Sequence, residues 1–178
     1  MKVLPKTQFG DPILQTRAKD VSTSFLKTTA CKTLIKEMIY TMRRAGGVGI
    51  AAPQVGKNLR LAVMEMRPTP TRPHLERRGP VVVINPTILK LSKKTVSDWE
   101  GCLSLQGVRG LVPRAERVTV EYTNEQGERV TEHAEGFWAR IFQHEIDHLD
   151  GVVYVERMQD MKTLMTVDEF KKRVVKKR

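Results

Sequence analysis

Two histidines four residues apart, His144 and His148, constrain this chain more than any other feature. On a helix this spacing puts both imidazoles on one face, one turn apart, where they can share a metal ion. The run from about Gly136 to Leu149 has helical periodicity and is ended by Asp150-Gly151, so a helix is expected there. Phe137 and Ile141 continue the stripe of His144 and His148, so the imidazoles point where apolar side chains point. Imidazoles buried in that way need partners, and a metal supplies them. Glu145, next to the first histidine, is then placed to act as general base toward a water activated at the metal.

A catalytic metal needs a third protein ligand and one open position. The sequence offers two candidates. Asp168 and Glu169 lie about twenty residues beyond His148, where thermolysin-like zinc peptidases place their third ligand, but the surrounding Thr166-Val167-Asp168-Glu169-Phe170 lacks the motif expected there. Cys102 sits between Gly101 and Leu103-Ser104, in a setting that reads as a positioned thiol rather than a buried hydrophobe. Cys31 is the contrast, because it falls among Leu34 and Ile35 in a helical run and reads as core. His74 and His133 have no ligand-like spacing and read as structural or surface residues.

The rest of the chain supplies a frame for that helix. An amphipathic helix is expected from about Ser24 to Ala45, stopped by Gly46-Gly47. Strands are expected at Leu59–Met66, Val81–Ile84, Val118–Tyr122 and Val130–Ala134, the last two joined by a turn at Asn124–Gly127. Four prolines in the loop from Arg67 to Pro80 argue against regular structure there. Val152–Val155 reads as a short strand, and Thr166–Arg178 as a basic helix or frayed tail. Strands come in runs flanked by helices, which favours an α+β fold over alternating α/β.

The 178 residues suffice for one well-cored domain, and no apolar run approaches a membrane span. Pro5 interrupts the start before any apolar signal region develops, so a cytoplasmic location, or an organelle matrix after removal of a targeting segment, is expected. Two cysteines outside any dense framework agree with a reducing compartment. A net charge of +11 predicts attraction to anionic partners, and the run Lys171–Arg178 is a candidate ribosome contact.

Three ordered segments resemble the signature of peptide deformylases. They are Gly47-Val48-Gly49-Ile50-Ala51-Ala52-Pro53-Gln54, Glu100-Gly101-Cys102-Leu103-Ser104, and Gln143-His144-Glu145-Ile146-Asp147-His148-Leu149. Gly10–Leu14 and Ile84-Asn85-Pro86 are lesser echoes, so the resemblance runs from about residue 9 to 157. It implies one domain over residues 1–178, with mostly antiparallel sheets around a central metal-binding helix and a basic tail from about residue 166. It further implies that Cys102, His144 and His148 bind one divalent ion, Fe²⁺ physiologically, with Zn²⁺, Ni²⁺ or Co²⁺ able to substitute. Glu145 would be the general base. Gln54 and the Leu103 N–H would stabilise the oxyanion, making these three the catalytic set.

Substrate contacts would fall to Val48, Gly49, Gly101, Arg109, Phe137 and Ile141, and Glu100 with Arg114 would brace the cysteine segment. The implied substrates are N-formylmethionyl nascent peptides, deformylated with release of formate. Arg140 and the bulky Phe137-Trp138 depart from the family's usual small apolar run, and the Arg67–Pro80 loop and the tail after Met158 have no assigned counterpart. A zinc endopeptidase using Glu169 and a non-catalytic RNA- or ribosome-binding module are the competing functions. Neither accounts for all three segments.

Overall fold

The computed structural model describes residues 1–68 and 72–175. Its elements in chain order are α1 (Thr23–Leu26), α2 (Thr29–Arg44), β1 (Gly49–Ala51), β2 (Leu61–Met66), β3 (Arg78–Leu91), β4 (Thr95–Cys102), β5 (Leu105–Ala115), β6 (Arg117–Thr123), β7 (Arg129–Glu135), α3 (Gly136–Leu149), β8 (Met165–Thr166) and α4 (Val167–Phe170). β1-β2-β3-β6-β7 form a five-stranded sheet and β4-β5-β8 a three-stranded one. Every strand pair within them is antiparallel, giving the expected α+β architecture. Among the described residues no helix is long and apolar enough to cross a membrane.

Alternation along the strands explains why the larger sheet is covered on both faces. Leu61 and Val63 on β2, with Val82 and Ile84 on β3, pack with Cys31, Leu34, Met38 and Met42 of α2. Their neighbours Met64 and Val83 join Trp138, Ile141, Phe142 and Ile146 of α3 on the other face. Period-two side chains on strands rich in Val and Ile thus feed two cores at once. The α3 helix also meets β5 of the smaller sheet, so the central position implied for the metal-binding helix holds.

Several expected boundaries differ, each for a local reason. The helix foreseen over Ser24–Ala45 breaks at Thr28, whose backbone is extended and whose hydroxyl accepts from the Cys31 N–H at 3.2 Å, so α2 begins afresh there. Cys31 is fully buried in the core, as expected. β3 starts at Arg78, so it takes in Gly79-Pro80 from the proline-rich loop and runs well beyond Ile84. A register shift carries it past Asn85-Pro86, where Asn85 holds φ 50° and its side chain pairs with the Val21 backbone at 2.8 and 2.9 Å. The strand expected at Val152–Val155 is absent. Tyr154–Arg157 form a 3₁₀ turn, because Glu156 Oε1 accepts from the Val153 N–H at 2.7 Å and Tyr154 is buried beside Val112. The tail from Thr166 is a strand end followed by a short helix and a π-type turn to Val175. The last three positions of the basic run lie outside the described residues.

Phe142 is fully buried, with Trp138 edge-on at a centroid distance of 5.3 Å and Tyr122 at 6.0 Å. Phe142→Ala should cost about 3–5 kcal/mol of stability. Urea titration should show it as a lower midpoint at nearly unchanged slope; an unshifted midpoint would place the main core elsewhere.

Candidate metal centre and catalytic cleft

Three elements meet at the site. The α3 helix presents His144, Glu145 and His148, and the end of β4 presents Glu100, Gly101 and Cys102. The 3₁₀ turn Ala52–Val55, entered through Pro53, presents Gln54. Potential ligand atoms of Cys102, His144 and His148 all lie within 4.8 Å of one another, and Cys102 Sγ is 3.2 Å from His148 Nε2. A thiolate and two imidazoles form a donor set suited to zinc or iron. Among the described residues Glu145 Oε2 is buried with no hydrogen-bond partner, an arrangement that calls for a bound water or substrate proton beside it. The residues present therefore fit a catalytic metal ion.

The electrostatics agree. Burial works against a Cys102 thiolate, but the positive field of His148 and hydrogen bonds from His144 and His148 more than reverse it and hold the thiol well below its ordinary pKa. The Ser104 N–H at 3.3 Å and Gln54 Nε2 at 3.2 Å also point at the sulfur. Gln54 is oriented from its other end: Oε1 accepts from the Ala51 N–H at 2.8 Å, which turns the NH₂ toward Cys102 and Ser104. Glu145 behaves differently, because burial pushes its carboxyl up to about 7, against the pull of His144 and His148.

Glu100 ties the centre to the scaffold. Its carboxylate accepts from His144 Nδ1 at 2.8 Å, Arg140 Nη1 at 2.7 Å, and Arg114 at 2.9 and 3.1 Å. The bond to Nδ1 leaves His144 Nε2 for a metal, the outer-sphere support common to metal-bound imidazoles. Arg114 reaches on to Asp147 at 2.5 Å, and Asp147 is also held by Arg157 at 2.8 Å. The pairing of Glu100 with Arg114 read from the sequence is thus present, within a larger network.

A cavity of about 380 Å³ opens over the centre. Val48, Gly49, Gln54, Gly101, Cys102 and Leu103 line it, as do Arg109, Phe137, Ile141, His144 and Glu145, while His148 is buried beneath. Sequence reasoning placed all of these in the site. It missed the roles of Arg72, Trp99, Val167, Phe170 and Lys171, which also line the cavity. Arg72 comes from the proline-rich loop, lies 4.3 Å from the Phe137 ring centroid and binds Asp98 at 2.5 Å. Charge beside proline was the available signal, but it carried no address. Arg140 was noticed only as a departure from pattern; it lines the cavity floor and joins Glu100 to the carbonyls of Val112 and Val96. Glu169 is bound to Lys172 and Arg173 and does not join the histidines, so the endopeptidase ligand set is not formed. His74 and His133 line a separate depression.

Glycine at position 49 answers a need for space rather than for an unusual backbone conformation. Its φ is not positive. A Cβ there would stand 2.1 Å from Glu145 Oε1, so the carboxylate itself occupies the space that a side chain would need.

A helix with this histidine pair, a buried carboxylate beside it and a thiolate as third donor define a metal-dependent hydrolase. The profile described as polypeptide deformylase matches residues 3–164, and the chain belongs to that family, whose enzymes remove the N-formyl group from amino-terminal methionine. Peptide deformylase 2 of Nostoc sp. is 41% identical over 175 residues, covering 98% of this chain and 97% of the relative. The peptide deformylase of Thermotoga neapolitana is 46% identical over 157 residues, 88% of each chain. Among solved structures, a class I type b peptide deformylase from Acinetobacter baumannii with Met-Ala-Ser bound superposes with a TM-score of 0.86 at 43% identity, over 88% of this chain and 99% of that one.

Gly49→Ala is expected to displace the Glu145 carboxylate while leaving the ligand set alone. Turnover should fall by about 10²–10⁴, the range for losing a positioned general base, with metal content intact. Near-normal turnover in this variant would mean that the carboxylate position is not critical.

Proposed function

We propose that Cys102, His144 and His148 hold one divalent ion, Fe²⁺ physiologically, and that the cleft above them hydrolyses N-formylmethionyl peptides to formate and a free amino terminus. Convergence of the three ligand atoms within 4.8 Å beside the Glu145 carboxylate carries this reading. When bound, the ion supplies Lewis acidity, polarising the formyl carbonyl and lowering the pKa of a water. Zn²⁺, Ni²⁺ or Co²⁺ can occupy the same donors.

The chain's own groups do the rest. Glu145 takes the proton from the attacking water as the new C–O bond forms, and returns it to the amine as the C–N bond breaks. Gln54 Nε2 and the Leu103 N–H donate to the formyl oxygen as it gains negative charge. β1 is an edge strand of its sheet, paired to β2 on one side. An extended peptide can add along the segment Gly47–Gly49 by strand pairing. Val48, Phe137 and Ile141 then receive the methionine side chain, and Gly101 and Arg109 meet the peptide farther out. The Met-Ala-Ser seated in the A. baumannii relative supports this type of occupant.

Nascent chains place the enzyme near ribosomes, in the cytoplasm or an organelle matrix. The basic run from Lys171 is the proposed contact, although Lys172 and Arg173 are partly engaged by Glu169.

Formate release from formyl-Met-Ala-Ser tests the activity. Glu145→Gln should keep its metal and lose about 10²–10⁴ in turnover, whereas Cys102→Ala should lose the metal itself. Full metal in Cys102→Ala, measured by elemental analysis, would refute the ligand set.

Metal identity has its own test. Anaerobically purified Fe²⁺ protein should be the most active form and should decay in air as Cys102 is oxidised, while Zn²⁺ protein should be slower and durable. Equal turnover of the two forms would remove the iron assignment.

A further inference from the structure

The family profile ends at residue 164, yet the chain beyond it returns to the cleft. β8 adds to β5 with Thr166 opposite Val108 and Met165 opposite Arg109. From there α4 packs on the β4–β5 hairpin, and Phe170 is buried against Trp99 with ring centroids 5.3 Å apart. Val167, Phe170 and Lys171 line the same cavity as Cys102 and Glu145. Strand pairing and a buried aromatic contact thus hold this segment as a wall of the site.

Of the charged residues on that wall Lys171 lines the cavity, whereas Asp168 and Glu169 do not, and Glu169 is paired with Lys172 and Arg173. The carboxylates lining the cavity are Glu100 and Glu145, both buried, and Glu100 is already bound by Arg114, Arg140 and His144. Arg109 bonds to the Val108 carbonyl at 2.8 Å, and neither it nor the exposed Lys171 forms an ion pair among the described residues. A peptide with its formyl group over the triad and its methionine between Phe137 and Ile141 would run outward past Gly101 and Arg109 toward this wall.

We propose that residues 165–171 form the outer wall of the substrate cleft, and that Lys171 with Arg109 makes the enzyme prefer substrates with an acidic side chain at the third residue. This rests on the substrate pose given under the proposed function. The test compares kcat/KM for the C-terminal amides of formyl-Met-Ala-Asp, formyl-Met-Ala-Ser and formyl-Met-Ala-Lys, using the full chain loaded with metal. The aspartate peptide should exceed the lysine peptide by about two- to fivefold at low salt, the range of a partly exposed ion pair, and the advantage should shrink at high ionic strength. Lys171→Arg should keep the ratio, whereas Lys171→Glu should abolish or invert it. An Asp/Lys ratio near one in the native enzyme, or one that Lys171→Glu leaves in place, overturns the proposal while formate release still upholds the deformylase reading. Absence of formate from all three peptides overturns both.

Discussion

The Glu100 carboxylate is the interaction on which the rest of the site depends. It is buried, so its charge would be costly alone. Two arginines and a histidine answer that charge, and they come from β5 and two successive turns of α3. The network therefore fixes the β4–β5 hairpin to the helix at the point where Cys102 must face His144 and His148. Removing one partner from such a cluster leaves an uncompensated charge and costs on the order of 3–5 kcal/mol. Stability and ligand geometry are secured here by the same bonds.

Much of this was legible in the sequence because it is local. The α3 helix declares itself by spacing alone, and its bounds match those expected. The β6–β7 hairpin follows from alternation and its Asn-Glu-Gln-Gly turn. β4 and β5 were not foreseen, since Thr95–Cys102 carries few apolar residues and Leu105–Ala115 contains two glycines and a proline. Those strands are specified by pairing with each other and by the charges they bury, which periodicity does not register. Arg72, Phe170 and Lys171 escaped for a related reason: each reaches the cleft from a segment whose path is set by tertiary contacts.

Those late-arriving residues reach the site from segments outside the core elements. The triad, Glu145 and Gln54 lie on elements packed into the core. Arg72 arrives across the cleft on the loop between β2 and β3 and is tied down by Asp98, over the Phe137 ring. The wall at Phe170 arrives from the other side, held by Trp99. Loops and termini accept change because few buried backbone bonds depend on them. These walls of the cavity are thus built apart from the elements that carry Cys102, His144 and His148.

Two buried glutamates beside the same histidine pair nevertheless shift in opposite directions, and the contrast agrees with the separate tasks proposed for them. Burial raises the pKa of both. At Glu100 it is outweighed by the hydrogen bond and charge of His144 and by Arg114, which keep the group ionised. At Glu145 burial outweighs the charges of His144 and His148 and pushes the carboxyl up to about 7. A permanently charged carboxylate can brace ligands but is a poor proton carrier, whereas one poised near neutrality can accept and return a proton. The glycine at position 49 completes the arrangement, because a side chain there would occupy the space in which the Glu145 carboxylate lies.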